Sequence, residues 1–286
     1  MNTNIFKITA IPVLIIIFCR SGFSQPYLWK VSNESQSLSK TIIPPKGYSR
    51  ISVSAGSFAA WLRNLPIRAG HPAVLLFNGK PKEDQEAHFA VVDIDVGKEN
   101  LQQCADAIMR LRAEYLFSSG HQENICFRFT SGDKAEWARW RDGYRPLVAG
   151  KVVKWMKRAK EDPSYSNFRS YLTEVDRWAG TASLSKELLT VNEPVKVGIG
   201  DVFIKGGAPG HAVLVVDMAQ DSSGRRVFLL GQSYMPAQDI HILKNPISDL
   251  SPWYSAEDPG KLITPEWIFS RNSLKRFSDN GCPSFR

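Results

Sequence analysis

Histidine and cysteine are scarce in this chain, five and four in 286 residues. There is no Cys-x-x-Cys pair and no Cys/His cluster, so a structural zinc site is not expected. No phosphate-cradling glycine loop, no Gly-x-Ser-x-Gly elbow and no internal repeat occurs. Those absences remove the usual sequence grounds for a nucleotide site, a serine-hydrolase elbow or a solenoid. Long apolar runs are missing too. The one candidate, residues 8–18, is too short to read as a bilayer-spanning helix.

What is present is the composition of a globular protein, 43% hydrophobic and 22% charged. The length is ample for a core. Residues 1–24 stand apart. Lys7 precedes the apolar run, and Gly22 and Ser24 are small residues before Gln25, the pattern of a secretory signal. Cys19 follows the bulky Phe18, which disfavours a lipid anchor. The protein is therefore expected to be exported, periplasmic or extracellular, with no transmembrane segment after signal cleavage. Three cysteines then remain, Cys104, Cys126 and Cys282. In an oxidising compartment two can pair and one is left over. The net charge of +8 falls by two without Lys7 and Arg20. A modest positive charge fits loose attraction to anionic envelope polymers. The densest basic run, residues 139–160, alternates with Trp140 and Trp155. It reads as an amphipathic helix with a solvated basic face, and no specific nucleic-acid partner is expected.

In chain order, the polar residues 25–48, with Pro44-Pro45-Lys46-Gly47, read as a flexible lead-in to a single domain over 49–286. Residues 73–77 and 88–96 read as strands. Asp93 and Asp95 alternate on the second, a solvated face unless His88 joins them around a metal. Helical periodicity over 98–116 places Cys104 about one turn inside a helix, on a face with Leu101, Ile108 and Leu111. A helix N-terminus favours the thiolate, whereas a core position makes the thiol inert. Cys126 sits in a strand, where no helix end activates it. Cys282 is a tail residue or a disulfide partner. Residues 133–179 read as helical, interrupted at Pro163.

The stretch 200–234 reads as three strands, with Asp221-Ser222-Ser223-Gly224 turning between the last two. Ala212, Leu214 and Val216 share one face; His211, Val213, Val215 and Asp217 share the other. A two-residue loop at Ser222-Ser223 sets Val213 opposite Gln232 and His211 opposite Tyr234. His211 and Gln232 are then diagonal neighbours, roughly 7–8 Å apart between backbones. An imidazole held by a side-chain amide is what a nucleophilic thiol needs: the ring takes the thiol proton and the amide fixes its tautomer. His241 and Asp239 form a second polar pair. Trp253 and Trp267 belong to an aromatic tail that either lines a groove or pins the tail to the core.

Cysteine on a helix, then a strand opening on Gly210-His211-Ala212-Val213, then a strand ending Leu230-Gly231-Gln232-Ser233, is an order that resembles papain-like cysteine hydrolases. Gly200-Asp201-Val202-Phe203 is similar to the Gly-Asp strand of the NlpC/P60 and CHAP branches, which cut peptidoglycan peptides and amides. The resemblance implies Cys104 as nucleophile, His211 as base and Gln232 as its orienter, with Gln102 or Gln103 as oxyanion donor. Gln103, Ser233 and Tyr234 are the expected substrate contacts, and the substrate is a cell-envelope peptide or glycan. No cofactor and no resident metal is implied. Across most of its length the chain also resembles an uncharacterised secreted bacterial family of unknown function. The fold expected is α+β, a central antiparallel sheet with packed helices in a papain-like arrangement. The expected function is that of an exported cysteine-dependent amidase or peptidase. Two rivals stand beside it. One is a non-catalytic envelope-binding module on the same fold. The other is a metal-dependent hydrolase using His211 with Asp217, His88 or His241.

Overall fold

The computed structural model describes residues 27–279 and 281–282. The signal read at residues 1–24 lies outside the described residues. The frame is a nine-stranded sheet. In spatial order its main path runs His88–Val91, His241–Leu243, Arg226–Gln232, His211–Asp221, Val202–Lys205, Leu274–Arg276 and Leu189–Thr190. Tyr48–Arg50 pairs with the far end of His211–Asp221, and Tyr254–Ser255 with the start of Arg226–Gln232. The named pairings are antiparallel. The class is thus mixed α and β around a large antiparallel sheet.

The middle strands are apolar on both faces because both faces are covered. Ala212, Leu214 and Val216 face the larger core, which contains the Cys104–Ser118 helix. Val213, Val215 and Met218 face a second core with Phe203, Phe228 and Phe269. Each fully buried Val, Leu, Phe or Met among them contributes about 1.5–3 kcal/mol.

The hairpin between His211–Asp221 and Arg226–Gln232 corrects one part of the expected register and keeps another. Asp221 N–H bonds to Arg225 O, so the loop is Ser222, Ser223 and Gly224, with Gly224 at φ +85°. That is one residue longer than expected, and alone it would put Gln232 on the wrong face. A β-bulge between Val215 and Asp217 absorbs the extra residue. Leu214 therefore pairs with Gly231, in the expected register, and His211 and Gln232 share a face. Past the bulge the faces swap. Met218 takes the position expected for Asp217, and Asp217 turns to Arg50 and Arg63 at 2.7 Å each.

The long helix starts at Cys104 rather than near residue 98. Gln103 is extended, and its N–H donates to the Asp106 carboxylate at 3.0 Å, a cap that fixes the start. From Cys104 to Phe117 every residue is buried, so the helix is central and not amphipathic. Three of its charged side chains find partners in neighbouring elements. Arg110 reaches Asp95, Glu114 accepts from Tyr165, and Arg112 stacks over Phe58 and Phe277.

Other expectations are corrected. Of the stretch read as helical, only Trp137–Arg141 and Tyr165–Trp178 are: most of the basic run is a hairpin, Tyr144–Ala149 with Val152–Lys157 around Gly150, and Arg139 lies 5.0 Å from the Trp155 ring centre. Val148, Val152 and Val153 favour the extended form. The stretch read as a flexible lead-in is tied down. Trp29, Leu38 and Ile42 are buried, and the Trp29 indole donates to Asp93 O. The strand at His88 ends at Val91. Asp93 then bonds Ser32 and Ser35 while Asp95 pairs with Arg110 and Arg169, so the two aspartates share no solvated face. Residues 73–77 make only isolated bridges, Leu75 with Pro81 and Leu76 with Gln238.

Candidate active site

Cys104 is the first residue of its helix, and it is free, because Cys126 and Cys282 pair across a separation of 156 residues. The first-turn N–H groups of a helix have no intrahelical acceptors and carry partial positive charge. The Cys104 sulfur lies near enough to the backbone N–H of Ala105 and of Ala212, the residue after His211, for both to favour its thiolate, though no hydrogen bond to it forms among the described residues. It lines a cleft of about 300 Å³ with Leu101, Gln103, Asp176, Gly210 and Met235. The helix packs across the His211–Asp221 strand, and Ser233 Oγ ties the approach to the cysteine by donating to Gln102 O at 3.2 Å. Gly210 is forced by crowding: a Cβ there would come within 2.4 Å of Gly207 O and of Thr181 Oγ1.

His211 lies at the mouth of the strand, buried under Tyr234, Trp267 and Phe269, with ring centres 4.7, 5.4 and 5.7 Å away. His211 Nε2 is 2.8 Å from Gln232 Oε1. Gln232 Nε2 donates to Glu266 at 2.6 Å and approaches His241 Nε2 at 3.2 Å. His241 Nδ1 lies 2.9 Å from Asp239 O, and Lys82 pairs with Glu266 at 2.6 Å. The network assigns the protons. His241 must donate from Nδ1 to a carbonyl, so its Nε2 accepts. Gln232 then donates to His241 and Glu266 and presents oxygen to His211. His211 carries its proton on Nε2, and Nδ1 is the basic lone pair. Nδ1 has no hydrogen-bond partner among the described residues, and no hydrogen bond joins the ring to Cys104.

Electrostatics hold both groups neutral. Burial pushes the Cys104 thiol up to about 11, helped by the Asp106 charge and opposed by the backbone N–H groups. The helix end therefore does not prevail over desolvation, contrary to the expected activation. Burial lowers His211 to about 4, with the Gln232 bond opposing and the Lys82 charge adding. His241 falls to about 3, chiefly through burial.

Of the expected site residues, His211 and Gln232 meet directly, and Cys104 reaches the backbone beside them. Gln103 lines the cleft, its amide 3.5 Å from Asn100 Oδ1. Gln102 does not face Cys104; it is buried with Oε1 on Arg110. Ser233 is fully buried, its one hydroxyl proton shared between Gln238 O at 2.9 Å and Gln102 O at 3.2 Å, a loop tie rather than a substrate contact. Tyr234 touches the His211 ring and is half-buried. The pairing of His241 with Asp239 runs through the Asp239 backbone; the carboxylate belongs to Arg68. The metal set is not assembled, since Asp217 lies across the sheet between two arginines. Among the described residues no three His, Cys, Asp or Glu side chains group as a metal site.

Sequence reasoning missed Glu266, Lys82 and the role of His241. Glu266 sits between Pro265 and Trp267 in an irregular segment, and only folding brings it under Gln232. The pair Asp106 and Asp176 was missed as well. Position three of a capped helix was the available signal for Asp106.

Residues 38–276 match the model of a family described as a domain of unknown function (4846, DUF4846), and the chain belongs to that family. No curated protein and no solved structure matches it. Among the described residues no helix is long and apolar enough to cross a membrane. The disulfide is compatible with an oxidising compartment.

Proposed function

We propose that this protein is an exported cysteine-dependent amidase or peptidase of papain-like mechanism, acting on amide bonds of cell-envelope material. The observation that carries the reading is the free Cys104 at a helix N-terminus, its sulfur near the N–H of Ala212, the residue that follows a His211 whose Nε2 is fixed by Gln232 at 2.8 Å. The remaining ring nitrogen is the base.

In the proposed reaction the Cys104 sulfur attacks the amide carbonyl carbon as its proton passes to His211 Nδ1. The oxyanion forms beside the N–H groups of the first helical turn. Collapse breaks the C–N bond, and His211 returns its proton to the departing amine. Water, deprotonated by the same imidazole, then cleaves the thioester and restores the thiol. A thiol near 11 and an imidazole near 4 make the resting pair neutral, so proton transfer accompanies attack. Gln232 acts through His211 and is a positioning residue, and Glu266 and His241 hold Gln232 in turn.

The test is release of products from muropeptides, read by mass spectrometry, for the mature protein and its Cys104→Ala and His211→Ala variants. Turnover falling at least about 10³-fold in both variants supports the reading. Turnover that survives Cys104→Ala overturns it.

A further inference from the structure

We infer that the cleft beside Cys104 takes an aliphatic primary ammonium group of the substrate, held by the carboxyl groups of Asp106 and Asp176. The inference deepens the cysteine-hydrolase reading and rests on it for the ammonium's being part of a substrate.

Two carboxyl groups line the same cleft as Cys104, one from the central helix and one from Tyr165–Trp178. Asp106 is 6% exposed. One of its oxygens caps Gln103, and the other, Oδ1, is buried with no partner. Asp176 also has a buried Oδ1 without a partner, and it makes no hydrogen bond among the described residues. An unpaired buried carboxylate is costly, and other buried carboxylates of this protein, Asp201 and Asp217, are met by arginines. The cations nearest Asp176 are committed to other carboxylates. Arg110 and Arg169 hold Asp95, and Arg177 holds Glu99 and Glu174. What is missing is a cation that arrives with a ligand.

The chemistry of the cleft narrows that cation. No third carboxylate, histidine or cysteine completes a metal set among the described residues. An ammonium brings three donors on a compact charge and can bridge two carboxyl groups. Leu101, Ala105, Ala179, Pro209 and Met235 give the cleft apolar walls suited to a short aliphatic chain. Burial raises Asp176 to about 7, opposed by the Arg110, Arg169 and Arg177 charges, and raises Asp106 well above the usual carboxylate range, where the Asp176 charge adds to the rise. The empty pair therefore holds a proton near neutrality, and an incoming ammonium displaces it.

The deciding experiment is calorimetric titration of the folded protein with butylammonium and with n-butanol, near pH 7 in two buffers of different ionisation enthalpy. The expected result is saturable butylammonium binding at millimolar concentration with proton release, and at least about tenfold weaker binding of n-butanol. Asp176→Asn is expected to weaken butylammonium at least about tenfold, and Asp106→Asn to do likewise where it folds. Equal binding of the two probes, no saturation, or affinity unchanged in Asp176→Asn overturns the inference. A parallel measurement separates it from the parent reading: alkylation of Cys104 by cationic 2-bromoethylamine and by neutral iodoacetamide, each scaled to its rate with glutathione. A preference for the cation that disappears in Asp176→Asn supports the subsite. Failure of Cys104 to react with either reagent counts against the hydrolase reading, while calorimetry still decides the ammonium site.

Discussion

The His211–Asp221 strand carries a buried polar side chain at each end of its apolar run, and the two ends are treated in opposite ways. Asp217, at the bulge, is closed. Each carboxylate oxygen meets an arginine at 2.7 Å, Arg50 on one and Arg63 on the other. His211, at the strand's start, is closed on one side only. Its Nε2 is fixed by Gln232, whose own donors are taken up by Glu266 and His241, and its Nδ1 has no protein partner among the described residues. A saturated polar group holds a fold in register. A group oriented by a complete network and left with one open valence is prepared for chemistry.

The widest test of this contrast is the charge state at the open end. With thiol and imidazole both neutral, alkylation of Cys104 is expected to be slow at pH 6–7 and to climb about tenfold per pH unit toward 11, roughly 10⁴-fold in all. A plateau already reached below pH 7 would reveal a thiolate–imidazolium pair and break the comparison.

Next in size is the closed end. Asp217→Ala leaves Arg50 and Arg63 facing an uncharged strand and is expected to cost about 3–5 kcal/mol in urea unfolding. His211→Ala is expected to cost less than about 2 kcal/mol while abolishing turnover. If the two variants lose the same stability, the ends are not functionally distinct.

Glu266→Gln sharpens the comparison from within the network. It weakens the preference that keeps the Gln232 oxygen toward His211, so a fraction of molecules carries the wrong tautomer. A drop of about tenfold in kcat with KM nearly unchanged is expected. A change confined to KM would make Glu266 a substrate contact instead.

The most gradual effect is one of acid stability. The fold keeps His241 neutral down to about pH 3, whereas the unfolded chain takes up a proton near 6.5. Below 6.5 the unfolded state binds more protons. This stabilisation is therefore complete above 6.5 and is lost as pH falls from 6.5 toward 3. His241→Gln is expected to flatten the slope of stability against pH in that window by roughly 1 kcal/mol per unit. An unchanged slope would mean that His241 titrates normally in the folded protein.

Local sequence determined a good deal of this protein. Alternation of Val, Leu and Ala around 211–216 specified a strand, and Asp221 to Gly224 a turn. Together they put His211 and Gln232 on one face. The register held only because the three-residue loop and the bulge before Asp217 compensate, and neither has a signal in apolar alternation. Helical spacing found the Cys104 helix but misplaced its start, since an extended Gln103 capped through Asp106 looks periodic too.

Other features were decided by tertiary structure alone. Which cysteine stays free depended on Cys126 and Cys282 meeting across 156 residues of chain. Residues 144–157 became a hairpin where residue spacing suggested a helix. The state of the thiol followed from burial, a many-body property that overrides the favourable helix end. Glu266 beneath Gln232, and Asp176 beside Asp106, come from segments distant in the chain. Short-range pattern fixes periodicity and turns because those are backbone preferences of adjacent residues. Pairing, protonation and the unfilled carboxyl pair depend on what long-range packing brings within a few ångströms, and adjacent residues carry no record of that.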